Sequence, residues 1–396
     1  MPEFYEAVLA LPVWDTHTHL NNPKVPLAAQ NFWDIGHYLW FHRELIAAGY
    51  PKEAERLPEA ERRERYAAAF AATKNTAMNW VVTRILRDLY GVELGDPKSI
   101  EKADEAVRAS FQQPAWPRKV IERLAIRRIA VNSIESAEFP GLPGVGYAIP
   151  SLRSLDPLVE RVLASPEPNA ALEEARAEVK AGIGRFAEKG VRGVRTDPGP
   201  FERLGAQAYG LPDELPKTGA TADHVAVILA RQRLAALAEH KLFAQFFLGI
   251  GATTTRTAMP NNDPRRITNL HGLFEQYGCD FELLLGCELN NLDLVQAALV
   301  FPNVHAGGLW WFNFRPSTFL ECMEYRLEAL PPCKSALVAS DARCIEWCYG
   351  KVLLVKTLLA EFLAEQIRKG WLNQTEALRV AREWLHDAVQ RRYASA

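Results

Sequence analysis

The chain has 396 residues, 48% of them hydrophobic, and its 46 basic and 48 acidic residues leave a net charge of −2. No block of like charge is present, so neither nucleic acid nor an anionic membrane surface is expected as a partner. No apolar run approaches the ~20 residues of a membrane helix, and the N-terminus lacks the basic and apolar regions of a secretory signal. A cytoplasmic globular protein is expected, with one large or two ordinary domains. The six cysteines include no C-x-x-C pair. Cys344 and Cys348 read as buried free thiols rather than as a disulfide or metal site.

Taken in chain order, the first element is VWDTHTHL (13–20), an apolar stretch ended by Asn-Asn-Pro. As a strand it would put Asp15, His17 and His19 on one face. A helical region follows, roughly 30–120, including EAERLPEAERRERYAAAFAA with its charges on a solvated side. Seven more β-rich segments come next: IRRIAVNS (126–133), VGYAIPSLR (145–153), VRGVRT (191–196), FAQFFLGIG (243–251), FELLLGCEL (281–289), VHAGGLWWF (304–312) and SALVASDAR (335–343). Helical stretches fill most of the gaps, and Gly190 stands where a helix would stop before the fourth strand. Eight β/α alternations predict an α/β fold, a (β/α)8 TIM barrel built from 1–29 and 121–396, with 30–120 as a helical insertion after strand 1. The alternative, a doubly wound open sheet, lacks a glycine-rich phosphate loop after the first strand.

A barrel carries its chemistry at the carboxyl ends of its strands. Strand 1 ends in His17 and His19, strand 3 in Arg153, strand 4 in Arg195 and Asp197, strand 7 in Trp310, Trp311 and Asn313, and strand 8 in Asp341 and Arg343. Buried charges need partners, so structural ion pairs are one explanation for each. Two histidines and a carboxylate also make a three-ligand metal site with open coordination positions. Asp15, deeper along the strand, is expected to orient a neighbour. Three arginines around one mouth call for a small anionic substrate, and the missing phosphate loop favours a carboxylate. A tryptophan pair at the rim could stack on a sugar ring or simply pack beneath a helix. His305 reads as a core histidine.

Five stretches then carry a family resemblance: D-T-H-T-H (15–19), G-H-Y (36–38), I-P-S-L-R-S-L-D (149–156), G-L-W-W-F-N (308–313) and S-D-A-R (340–343). Over its whole length the chain resembles the uronate (glucuronate) isomerases of the amidohydrolase superfamily. The resemblance implies His17, His19 and Asp341 as ligands of one divalent metal ion, zinc in the first instance, with manganese or another ion as alternatives. It implies His37 and Tyr38 as a pair delivered to the site by the insertion, Arg343 as the arginine beyond the metal-binding aspartate, and Arg195 as a substrate-pocket arginine. Arg153 and Trp311 fall in family-like segments as substrate-binding candidates. Three features depart from the pattern: Phe247 stands where many members have a strand 5 histidine, strand 6 has none, and Phe314 follows Asn313 where an acid is common.

The implied reaction is aldose–ketose isomerisation of a uronic acid such as D-glucuronate or D-galacturonate, by proton transfer through an enediol. Tyr38, His37 and Asp341 are the proton-transfer candidates. Tyr38 would act as a base only with a depressed pKa, for which Arg343 is the nearby cation. Arg195 and Arg153 would hold the substrate carboxylate. The competing readings are a metal-dependent hydrolase or decarboxylase on the same scaffold and a barrel that only binds sugar acids. A homo-oligomer is compatible with the sequence, which does not decide the point.

Overall fold

The computed structural model describes residues 2–20, 26–132, 138–216, 219–252, 258–263, 265–288, 290–310 and 314–394. Three sets of strands build the frame. β1 (Val13–Thr18), β2 (Ile126–Val131) and β3 (Gly146–Ala148) pair in parallel in that order. β4 (Gly193–Thr196) and β5 (Phe243–Leu248) start a second parallel set. A short antiparallel hairpin, β6 (Ile250–Ala252) and β7 (Ala258–Pro260), interrupts the chain before β8 (Phe281–Leu285) and β9 (Val304–Ala306) extend the second set from β5.

Parallel bridges close the ring. Ser151 pairs with Arg195, joining β3 to β4, and Ala306 pairs with Ser335, joining β9 to the segment 335–342. That segment pairs back onto β1 through Thr18 and Ala342. The eight parallel segments are those predicted, and the result is a TIM-type barrel. The fifth strand is shorter than its apolar run suggests. Gly249 has φ +84, and a Cβ there would lie 2.5 Å from Cys287 Sγ, so the chain turns out of the barrel at the one residue type that fits.

Between β1 and β2 the chain forms helices Phe32–Gly36, Leu39–Ala47, Glu59–Ala72, Ala77–Tyr90, Pro97–Phe111 and Trp116–Glu122. Their starts and stops are legible. Asp96 and Ser99 form a capping box ahead of Pro97, and Gly91 takes the left-handed conformation that ends Ala77–Tyr90. These helices share one apolar core with the 24-residue helix Ile345–Arg368 that follows the eighth strand. Glu346, fully buried on that helix, ties the two bodies together. It accepts from Ala29 N at 3.0 Å, Tyr90 Oη at 3.0 Å and Trp116 Nε1 at 2.8 Å.

Lys356 on the same helix serves the other end of the barrel. Its buried ammonium donates to Leu9 O, Leu11 O and Leu124 O at 2.7, 2.6 and 2.7 Å. All three ammonium hydrogens are used, and three carbonyls are satisfied at the entries to β1 and β2. Lys356→Met keeps the length and strands those carbonyls. A loss of about 2–4 kcal/mol is expected, read as a lowered urea midpoint with an unchanged slope.

The strand starts are sealed by the C-terminal helix Ala388–Ala394. Tyr393 stacks on Phe243 (4.6 Å between centroids) and Tyr147 (5.3 Å), with Trp14 edge-on at 5.5 Å. Its hydroxyl donates to Glu282, which also accepts from Gln245 Nε2 at 3.2 Å. The far end of the strands is therefore the open one. No helix of the described residues is long and apolar enough to cross a membrane.

Candidate active site

The carboxyl ends of β1 and of 335–342 lie edge to edge. Asp341 N donates to His17 O at 2.9 Å, and His19 N donates to Ala342 O at 2.8 Å. Asp341 has φ +56, a left-handed conformation that aspartate adopts at some cost and that clusters at functional sites. Its carboxylate is fully engaged. Oδ1 lies 3.2 Å from His17 Nε2 and 3.0 Å from His19 Nε2, while Oδ2 accepts from Trp40 Nε1 at 3.0 Å and from Tyr38 Oη at 3.3 Å.

These residues fit a metal. One ligand atom from each of His17, His19 and Asp341 lies within 4.8 Å of the others. Ligands about 2.0–2.2 Å from a tetrahedral ion stand roughly 3.3–3.6 Å apart, so the trio needs only small movements to close on one ion. His17 is 1% exposed, yet neither ring nitrogen reaches hydrogen-bond geometry, its approach to Asp341 included. Buried polar atoms are rarely left so. Burial brings the His17 pKa down to about 3, with the Arg195 charge in the same direction and Asp341 opposing, which leaves the neutral, coordinating imidazole. For Asp341, burial acts to raise the pKa, but the approach of His17 and His19 and the Lys351 charge outweigh it and hold the carboxyl well below its ordinary range.

Asp15 does not share the face of the two histidines. The pairing of β1 with β2 shifts register between Asp15 and Thr18, and irregularities of this kind re-aim side chains. Asp15 Oδ2 accepts from Cys348 Sγ at 3.2 Å and Oδ1 from Ser340 N at 2.9 Å. It thus orients the residue before Asp341, as its depth in the strand suggests. Cys344 and Cys348 are both free and buried.

The insertion reaches the site through a bend. Helices Phe32–Gly36 and Leu39–Ala47 are separated at Tyr38, which has φ −54 and ψ 132. Its phenol donates to Asp341 O at 2.9 Å and accepts from Lys351 Nζ at 2.6 Å. Lys351 also donates to Ser340 O. Burial lowers the Lys351 pKa to about 8, against the attraction of Asp341 and Asp15. The depressed pKa that Tyr38 would need to act as a base is not what its surroundings produce. Burial and then the Asp341 charge raise it well above 10, and Arg343 only opposes this. With its proton retained, the phenol is a hydrogen-bond donor to Asp341.

Next to His17 the wall is aromatic. The Phe247 ring lies 4.6 Å from His17 and 4.7 Å from Trp310, both edge-on. The Arg195 guanidinium lies over the Phe247 ring, 3.9 Å from its centroid, and makes no hydrogen bond to a described residue. Burial lowers its pKa and the Asp341 charge raises it. Arg195 is a half-buried cation without a fixed counterion beside the trio.

The remaining candidates are placed as follows. Arg343 is exposed, close enough for its charge to act on Tyr38 and Lys351. His37 is not brought to the trio. Although it adjoins Tyr38, its Nε2 pairs with Tyr50 Oη at 2.9 Å, and its ring stacks on His42 at 4.9 Å. The bend at Tyr38 sends the two neighbours apart. Arg153 is also not brought there by any hydrogen bond or ion pair among the described residues. Its side chain is exposed and lines a separate cavity. Trp311 and Asn313 lie outside the described residues. His305 sits in β9 with Nε2 3.7 Å from Asp280. Sequence reasoning missed Lys351 and Trp40. The available signal for Lys351 was a lone cation inside the apolar run WCYGKVLLV.

No protein-family model and no curated protein matches the chain. Solved structures do resemble it. A uronate isomerase from Thermotoga maritima aligns with a TM-score of 0.76 at 14% identity, over 99% of this chain and 96% of that one. A uronate isomerase from Bacillus halodurans aligns at 0.72 and 17%, over 100% and 96%. A glucuronate isomerase from Caulobacter crescentus aligns at 0.71 and 14%, over 99% and 93%. At such identities the likeness establishes a shared fold over the full length.

Proposed function

We propose that this protein is an aldose–ketose isomerase of a uronic acid, interconverting D-glucuronate or D-galacturonate with the ketouronate. The observation that carries the reading is the pairing of the His17–His19–Asp341 trio with an unpaired Arg195, under a cover in which Tyr38 and Trp40 hold Asp341. The fold shared with uronate isomerases supports it.

The trio would hold one divalent ion, with zinc best suited to two imidazoles and a carboxylate and manganese as an alternative. When bound, the ion supplies Lewis-acid polarisation of the sugar oxygens. Arg195 takes the substrate carboxylate, its guanidinium kept flat by Phe247. Tyr38, protonated and donating to the Asp341 carbonyl at 2.9 Å, would turn its O–H from that carbonyl to a substrate oxygen on which charge develops. Arg343 adds positive charge at the exposed rim. His37 is engaged elsewhere and Tyr38 keeps its proton, which leaves the ionised Asp341 carboxylate to take the proton from C2 and return it at C1, through Oδ2 once the bonds from Trp40 and Tyr38 give way to the substrate.

The test is incubation of zinc- or manganese-supplemented protein with each uronate in deuterium oxide, followed by proton NMR. Ketouronate formation is expected, with solvent deuterium at C1 of the ketouronate and at C2 of the aldose re-formed from it. Release of a fragment or of carbon dioxide from the same acids would replace this reading with the hydrolase or decarboxylase. Binding without any chemical change would make the barrel a sugar-acid receptor.

A further inference from the structure

A second concavity lies away from the trio. It has a volume of about 620 Å³ and lies between the segment leading out of β3, the helix Pro168–Glu188 and Arg233 of the helix Ala222–Glu239. None of His17, His19, Asp341, Arg195 or Phe247 lines it. The volume is that of a small-molecule site. Its walls include Leu152, Leu158, Val179 and Phe186, and its charged lining is one-sided. Arg153, Arg185 and Lys189 have no ion-pair partner among the described residues. The carboxylate on the wall, Glu178, is already engaged by Arg161 at 2.8 Å.

A glycine keeps the space open. Gly182 stands inside the helix Pro168–Glu188, where glycine is among the least favourable residues. A Cβ there would meet nothing closer than Arg185 at 3.8 Å, and φ at this position is not in the left-handed region. Neither crowding nor backbone conformation calls for glycine, so the helix penalty is spent where a side chain would fill the cavity.

The cavity is also wired to the barrel. Arg233 is 8% exposed; its guanidinium donates to Thr196 Oγ1 at 3.0 Å and to Arg153 O at 2.7 Å. Thr196 follows Arg195 on β4.

We propose that this cavity is a second ligand site, for a carboxylate carried on an apolar body. Apolar walls take the body, and Arg153, Arg185 and Lys189 take the anion. A sugar acid, polar all round, does not match such walls. The site is therefore distinct in ligand chemistry from the trio and independent of the isomerase reading.

Octanoate is the probe, titrated into the full-length protein by calorimetry. Saturable binding is expected. The double variant Arg185→Ala/Lys189→Ala should weaken it by about tenfold or more, since two charge-assisted contacts are lost. Gly182→Leu should abolish it while raising the thermal midpoint, because the same change improves the helix and fills the space. This combination separates a blocked site from a damaged fold. Val179→Trp provides a second way to block the cavity. Octanoate binding unchanged in both blocked variants would overturn the proposal. So would inorganic phosphate competing as well as octanoate itself, since the apolar walls would then contribute nothing. Absence of octanoate binding, with a lower mass by light scattering in Gly182→Leu, would assign the cavity to a second copy of the chain instead.

Discussion

On the isomerase reading proposed above, Asp341→Asn is expected to leave a folded protein that binds no divalent ion at the trio and to lower uronate turnover by roughly a hundred- to a thousandfold. The fold should survive for a local reason. Asp341 has φ +56, and asparagine is the residue other than glycine that best tolerates this region. Alanine would confound the result with backbone strain. The chemistry should not survive. One carboxylate oxygen faces both imidazoles and the other accepts from Trp40 and Tyr38. An amide places an N–H₂ donor against one of these sets whichever way it is turned. It also removes the negative charge that offsets a divalent ion and the base assigned above. Metal stoichiometry by plasma mass spectrometry and kcat on D-glucuronate are the two readouts. Full occupancy at wild-type affinity would mean that the metal sits elsewhere.

The second large effect is expected at Lys351. Lys351→Met should reduce kcat by about 10–100-fold with little change in KM, and should cost about 1–3 kcal/mol of stability. Methionine fills similar space but cannot replace the bonds to Tyr38 Oη and Ser340 O. Ser340 is gripped from two directions, its carbonyl by Lys351 and its N–H by Asp15. Releasing one grip loosens the turn that aims Asp341 and frees the phenol that fastens the insertion to it. The cost is moderated because an apolar residue removes the desolvation of a buried ammonium. The ammonium also lies 4.5 Å from the Tyr38 ring and 4.7 Å from Phe314, contacts that methionine partly retains. Wild-type kcat together with a wild-type urea midpoint would remove Lys351 from any positioning role.

What could be read in advance divides along a physical line. Strands buried on both sides leave apolar runs, and His17, His19 and Asp341 stand at the ends of such runs. Barrel and trio were therefore visible without coordinates. Orientation was not. His37 and Tyr38 are adjacent in sequence, but a bend in the backbone gives them different surroundings. Arg153 ends a strand-like run, yet its side chain faces a different cavity from Arg195 across the Ser151–Arg195 bridge. The hairpin after β5 was hidden because Gly249 lies inside an otherwise unbroken apolar run. Lys351 and Trp40 were missed because their significance lies in partners some 300 residues away.

The seam between the first and last strands bears on how the protein matures. Thr16 Oγ1 bonds to Val338 O across 322 residues of chain, and the two histidines meet their carboxylate along the same seam. Contacts so distant in sequence carry a high loop-closure cost and form late. A folding intermediate with an unclosed ring would hold the histidine pair on one edge and the aspartate on the other. The ion would then act as a latch rather than a template. Added early, it should leave the refolding rate unchanged. Once the ring shuts, it should slow reopening, by stabilising only the closed state.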